Sequence, residues 1–183
     1  MRILGLSGSL RGDSHNSRLL AGAATLLPAG VELETFTRLA EIPPYSEDVE
    51  HDRPPAVEAL WTAIERADAV LIATPEYNAS IPGQLKNALD WVSRPHAQTP
   101  LRGKPAAVIG ASTGLFGAVW AQAELRKVLT TIGARVIDRE LPVAQADESL
   151  DEGGLPREPD VRDALSLTLD ELLDLTSPDV LAA

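Results

Sequence analysis

The stretch SGSLRGDSHNS (residues 7 to 17) gathers hydroxyls at Ser7, Ser9, Ser14 and Ser17, an amide at Asn16, a guanidinium at Arg11 and two glycines. Leu19, Leu20, Ala23, Ala24 and Leu27 then recur at helical spacing. A helix N-terminus presents unpaired N–H groups and a partial positive charge, which suits an anion. Arg11 adds a charge-assisted contact. The spacing matches neither the triphosphate loop Gly-x-x-x-x-Gly-Lys-Ser/Thr nor the dinucleotide fingerprint Gly-x-Gly-x-x-Gly. A monophosphate or another small anion fits better than a nucleoside triphosphate. A serine-rich capping turn with no ligand remains the alternative.

The stretch TPEYNASIPGQLKNALDW (residues 74 to 91) follows the apolar run Ala69-Val70-Leu71-Ile72-Ala73. Pro75 biases Thr74 to stay extended, and Pro82 suits the first turn of a helix over residues 82 to 93. Between them Glu76, Tyr77 and Asn78 are expected to stand open with their backbone amides free. Such an edge of N–H and C=O groups matches the donors and acceptors of a flat heterocycle. A proline-bounded loop that merely caps a helix is the rival reading. Leu85, Leu89 and Trp91 read as packing or subunit-contact residues. A third stretch, GASTGLFGAVWAQ (residues 110 to 122), offers Ser112, Thr113, Gly114 and Gly117, and its glycines would let backbone approach a ring closely.

Other chemistry is poorly supplied. The chain has no cysteine, which excludes thiolate catalysis, iron–sulfur clusters and disulfides. His15, His51 and His96 are too scattered for a metal set, and the acids Glu41, Glu47, Asp48 and Glu50 sit in a proline-rich run that reads as solvated. No Ser-His-Asp arrangement is indicated, so no catalytic side chain is assigned. The formal charge of −11 argues against a general nucleic-acid binder. Residues 147 to 183 hold 11 acidic and 2 basic groups, a net of −9, which leaves −2 for the rest. No apolar run reaches the length of a membrane span, and the N-terminal residues turn glycine-rich and charged too soon for a signal peptide, so a soluble cytoplasmic protein is expected.

These loops need elements to hold them. Ile3 to Leu6, residues 31 to 36, Asp68 to Thr74 and Ala106 to Ala111 read as strands, with a weak fifth at residues 135 to 137. The second strand alternates with period 2 and is expected nearer a sheet edge than the continuous apolar runs. Helices are expected after the first strand, at residues 55 to 66, 82 to 93 and 117 to 131, and along the stripe Val161, Leu165, Thr168, Leu169, Leu172 and Leu175. Alternating strands and helices imply one α/β domain over residues 1 to 183, with a parallel sheet covered on both faces. The three unusual loops follow strands one, three and four. In such sheets ligands collect beyond the carboxyl ends of the strands.

Together GSLRGDSHNS, TPEYNASIPGQLKNALDW and STGLFGAVWAQ resemble the NADPH-dependent FMN reductase family, flavodoxin-like proteins that include chromate, quinone and azo-dye reductases. The resemblance covers roughly residues 1 to 145. It implies a flavodoxin-like three-layer α/β/α sandwich with a five-stranded parallel sheet in the order 2-1-3-4-5. It also implies FMN as cofactor and NADPH or NADH as co-substrate, with hydride passed through flavin N5 to a small-molecule acceptor. Ser9, Arg11, Asn16 and Ser17 would hold the FMN phosphate, Pro75, Glu76, Tyr77 and Asn78 would line the isoalloxazine, and Ser112 with Gly114 would close its other side. A homodimer or homotetramer is implied as well. Where many relatives read Gly-Gly-x-Arg, this chain has Gly117-Ala118-Val119-Trp120. The lost cation bears on nicotinamide choice and subunit contact more than on FMN, and Ala118 replaces glycine readily if its dihedrals are ordinary. A flavodoxin-type electron carrier with protein partners and a cofactor-free interaction domain are the rival functions.

Overall fold

The computed structural model describes residues 1–177. Strand β1 (Arg2–Ser7) is followed by helix α1 (His15–Thr25), β2 (Glu32–Phe36), α2 (Pro55–Arg66), β3 (Ala69–Thr74), α3 (Gly83–Val92), β4 (Pro105–Ala111) and α4 (Val119–Ile132). Then come β5 (Arg135–Val136), β6 (Pro142–Val143), α5 (Ala146–Ser149) and α6 (Pro159–Asp174). All pairings are parallel, and the order is β2-β1-β3-β4-β5. The expected order therefore holds, with β2 at the edge and the apolar β3 and β4 buried along their whole length.

The sheet has one strand more than expected. β5 pairs only with the start of β4, at Pro105 and Ala106, and β6 pairs with its end, at Gly110 and Ala111. The chain leaves the sheet between them through Asp138, Arg139 and Glu140. Arg126 gathers this excursion, since its Nη2 meets Glu140 Oε1 at 2.7 Å. A two-residue strand that begins with proline gives almost no periodic signal, so β6 was not legible.

Side-chain alternation divides the core between the two faces of the sheet. Leu4, Leu6, Val70, Ile72 and Val108 pack against α2, α3 and α4. Ile3, Leu71 and Ile109 pack against α1 and α6. Leu85, Leu89 and Trp91 are all at most 2% exposed within this one chain, so of the two roles expected for them packing is the one they fill. Trp91 Nε1 and Asn87 Nδ2 both donate to Pro43 O at 2.8 Å, and Gln84 Nε2 donates to Leu39 O and Ile42 O. The polar positions of α3 thus fasten the long proline-rich connection before α2. α6 and the turn before it close the other face. There Gly154, at φ +87°, lies so close to α1 that an added Cβ would come within 1.9 Å of Arg18 O. The C-terminal acidic segment is therefore in part structural, with Arg139 bonded to Glu171 and Arg162 Nη2 4.0 Å from Asp151.

Candidate functional site

Right-handed parallel topology brings the loops after β1, β3 and β4 to one edge of the sheet. In the first loop, Ser14 caps α1, and its Oγ accepts from Asn16 N at 3.2 Å and Ser17 N at 3.4 Å. Ser17 Oγ donates to Ser7 Oγ at 3.0 Å, and Ser9 Oγ accepts from Arg11 N at 3.3 Å. The serines therefore shape the loop among themselves. Gly8 packs closely here, since a Cβ would lie 2.9 Å from Leu85 Cδ2 and 3.3 Å from Pro75 Cδ and Leu85 would have to shift. Arg11 is exposed and enters no ion pair among the described residues.

Asn16 has another task. It is 2% exposed, its Nδ2 donates to Ala111 O at 2.9 Å, and its Oδ1 accepts from Ala111 N at 3.0 Å. The amide substitutes for a strand partner at the end of β4 and ties α1 to the third loop.

The second loop turns more tightly than expected. Tyr77 and Ser80 exchange backbone hydrogen bonds of 3.0 and 3.1 Å across Asn78 and Ala79, whose φ values are 55° and 59°. Positive φ at both central positions marks a type I′ turn. The Tyr77 N–H is thus not free, contrary to expectation, while those of Asn78 and Ala79 lie outside the turn's hydrogen bonds. The Tyr77 ring is 54% exposed. Glu76 reaches away from the turn, and its Oε2 accepts from Ala121 N at 3.0 Å.

The third loop is held by the unforeseen strand. Ser112 N donates to Val143 O at 3.0 Å, Ala146 N to Ser112 O at 3.0 Å and Gln145 N to Gly114 O at 3.0 Å. Gln122, fully buried, bonds Gly117 O, Leu141 O and Leu141 N at 3.0 to 3.1 Å. Gly117, at φ +57°, is a packing requirement, since a Cβ would lie 2.6 Å from Pro142 C. At Gly114 a Cβ would meet only Ser112 Oγ, at 3.6 Å, so nothing in the chain itself demands a glycine there. Ala118 does not have ordinary dihedrals: at φ 62° and ψ 33° it adopts the left-handed conformation that glycine takes freely.

Between the loops lies a cleft of about 160 Å³. Of the expected site residues, Ser9, Arg11, Asn16, Pro75, Glu76, Tyr77 and Ser112 line it, joined by Ser14 and Thr113. Ser17, Asn78 and Gly114 do not line it. His15 also lines the cleft, with Nε2 2.9 Å from Asp147 Oδ1, an ion-pair distance without hydrogen-bond alignment. A lone histidine gave no sequence signal for this, and its partner comes from α5. Leu115, Phe116 and Trp120 are 72, 59 and 49% exposed. Phe116 and Trp120 pack edge to face, with centroids 5.0 Å apart. A larger hollow of about 670 Å³ lies between β2 and α2 along the sheet edge, and none of the convergent loops lines it. Among the described residues no group of histidines and carboxylates is placed to hold a metal ion, and no helix is long and apolar enough to cross a membrane.

Residues 1–148 match the sequence profile of the NADPH-dependent FMN reductase family. The chain belongs to that family. It is 46% identical to an NAD(P)H-dependent FMN reductase of Pseudomonas aeruginosa over 84% of this chain and 83% of the relative. It is 39% identical to a 2-hydroxy-1,4-benzoquinone reductase of a Burkholderia species over 93% of each. Among solved structures, FerB, a flavoenzyme NAD(P)H:(acceptor) oxidoreductase of Paracoccus denitrificans, superposes with a TM-score of 0.83 at 36% identity over 96% of each chain. For this FMN reductase family member, the cleft fits the cofactor chemically. Arg11, unpaired among the described residues, and the Ser9 hydroxyl suit a monophosphate beside the positive end of α1, although Ser14 already accepts from the Asn16 and Ser17 N–H groups there. The outward N–H groups of the turn and the open side of Gly114 suit a flat polar ring. The one carboxylate lining the cleft, Glu76, already accepts a hydrogen bond from Ala121.

Proposed function

We propose that this chain is an FMN-dependent NAD(P)H oxidoreductase that reduces small acceptors of the quinone, flavin or azo class. The observation that carries the reading is the convergence, at the carboxyl edge of β1, β3 and β4, of an anion-suited helix terminus with unpaired Arg11 and a rigid backbone turn. Ser9 and Arg11 hold the phosphate, with Ser17 and Asn16 shaping the loop beneath it. Pro75, Glu76, Tyr77 and Asn78 form one wall for the ring, and Ser112 with Gly114 the other. Held by these residues, FMN would supply the two-electron redox chemistry between NAD(P)H and the acceptor. The protein binds, orients and covers, which is why no acid–base pair is needed.

The enzyme works as a homodimer or homotetramer in the cytoplasm. The cleft is smaller than the roughly 300 Å³ at which ligand sites begin, so one chain alone covers only part of the cofactor. Tyr77, Phe116 and Trp120, exposed beside the cleft, supply an apolar surface for a second copy. This surface takes the place of the buried α3 face.

The test is steady-state oxidation of NADH and NADPH with a panel of quinones, azo dyes, free FMN and metal oxyanions. Turnover with a quinone and no protein partner is expected; a flavin-loaded protein that oxidises neither nicotinamide with any acceptor refutes the proposal. Arg11→Ala removes a charge-assisted contact of about 1.5–3 kcal/mol, which corresponds to roughly 10- to 100-fold weaker FMN binding. Unchanged affinity in a flavin titration would remove Arg11 from the phosphate site.

A further inference from the structure

Helix α4 starts without the residues that helices use to start. Its cap position is Ala118, 1% exposed and left-handed, with no side-chain oxygen, and its first turn contains no acidic residue. Of the N–H groups that open this helix of fourteen residues, that of Val119 reaches Phe116 O at 3.3 Å, while that of Ala121 finds no acceptor nearby in the sequence. The missing acceptor comes from 45 residues earlier, where Glu76 Oε2 takes the Ala121 N–H at 3.0 Å. Ala121 occupies the third helical position, the N–H that a capping serine or aspartate would ordinarily receive. The carboxylate also meets the positive end of the helix dipole.

Glu76 is the residue immediately before Tyr77, where the type I′ turn begins. Its bond therefore spans the two walls of the cleft, the turn on one side and the loop from Ser112 to Ala118 on the other. We propose that Glu76 is a positioning residue: a helix cap supplied from a distant loop that sets the spacing of the two ring-lining walls before any ligand arrives. This inference rests on the flavin reading above. It assigns the carboxylate neither proton transfer nor a direct bond to the ring.

Substitutions separate these possibilities by geometry. Gln keeps an acceptor oxygen at the same reach and loses the charge. Asp keeps the charge and falls one methylene short. Ala has neither. The experiment prepares wild type and the three variants as apo-protein and titrates each with FMN and with riboflavin, which lacks the phosphate. Amide hydrogen exchange of the apo-proteins reports residues 76–80 and 113–121.

If loss of the cap lets the walls part, the binding-competent arrangement becomes a minor population and apparent affinity falls by that fraction. With a cap worth about 1–1.4 kcal/mol, Glu76→Ala and Glu76→Asp are expected to bind both flavins about 5- to 10-fold more weakly. The factor should be the same for both, because the phosphate loop is untouched. Glu76→Gln should stay within about 3-fold, and the Ala121 amide should exchange faster only where the acceptor is lost.

Two results overturn the inference: Glu76→Gln as weak as Glu76→Ala, which makes charge the operative property, or Glu76→Ala as tight as wild type. So does affinity that follows the apo melting temperature across the variants rather than exchange at Ala121, which assigns helix capping alone. Failure of wild type itself to bind FMN refutes the flavin reading and is read separately.

Discussion

Asn16 sits in a loop that invites assignment as a phosphate ligand, yet its amide is spent on the backbone of Ala111, so Asn16→Ala distinguishes a brace from a ligand. The two bonds, 2.9 and 3.0 Å, join residues each 2% exposed, where water has little access to the groups left behind. Leaving a buried donor or acceptor unsatisfied costs about 1–3 kcal/mol, and the substitution orphans one of each. The expected loss is about 3 kcal/mol after partial relaxation, a large share of the roughly 5–15 kcal/mol that holds a domain folded. For a chain of this size that corresponds to a fall of about 6–12 °C in the melting temperature. Asn16→Asp keeps the acceptor for Ala111 N–H but turns an oxygen toward Ala111 O, so it should do no better.

The assay is urea unfolding of the apo-protein, followed by circular dichroism, beside FMN titration of the same samples. Exposed Arg11→Ala serves as the contrast, since a surface change away from packing features moves stability by no more than about 0.5 kcal/mol. The brace predicts a large apo-stability loss for Asn16 and little for Arg11, with the ligand effect reversed in weight. An Asn16→Ala protein that unfolds at the wild-type urea concentration, yet binds FMN tenfold more weakly, would refute this reasoning and return Asn16 to the phosphate.

Two further outcomes follow from local geometry. Ala118→Gly relieves a left-handed alanine of about 1–2 kcal/mol of strain, but it removes a buried methyl and frees the unfolded chain, so stability should stay within about 1 kcal/mol. Ala118→Val forces a β-branched side chain to φ 62° and should cost more than about 2 kcal/mol; a gap below about 0.5 kcal/mol between the two in urea unfolding would contradict the assigned conformation. The hydrogen bond from Arg139 holds the Glu171 carboxyl below its ordinary value of 4.5. A carboxylate depressed in the folded state contributes stability above that value and loses it as pH falls through the folded one. Arg139→Gln should therefore flatten the fall of the urea midpoint below about pH 4.5; an unchanged acid slope would show that this exposed pair carries no linkage.

The longer strands and helices were legible because each rests on a repeated signal, whereas β6 and the four-residue α5 were not. Apolar runs mark β3 and β4, period-2 alternation marks the edge strand β2, and helical stripes mark α2 and α6. The location of the site was legible for a related reason: three irregular loops after parallel strands have one place to meet. What individual polar side chains do there was not, because a loop amide or carboxylate looks the same in sequence whether it faces a ligand or a neighbouring backbone. β6 had too few residues for a period, and the link from His15 to Asp147 spans more than a hundred positions with no pattern between them.

The contacts that gave no sequence signal share a physical cause. Where strands end, the sheet ladder ends too, and the buried N–H and C=O groups of the connecting loops still need partners. Each of three segments supplies one side chain to another: Asn16 to Ala111, Glu76 to Ala121, and Gln122 to Gly117 and Leu141. A polar residue committed in this way is a poor candidate for acid–base chemistry, because freeing it would orphan the backbone it serves. Among the described residues lining the cleft, the groups without a hydrogen bond include the Arg11 guanidinium, the Ser112 and Thr113 hydroxyls and the ring nitrogens of His15, and beside the free amides of the turn most of these suit holding a charged, flat molecule. A scaffold that spends its polar side chains on rigidity must import its reactivity, and a reductase whose hydride chemistry resides in a bound flavin is the case in which that arrangement costs nothing in function.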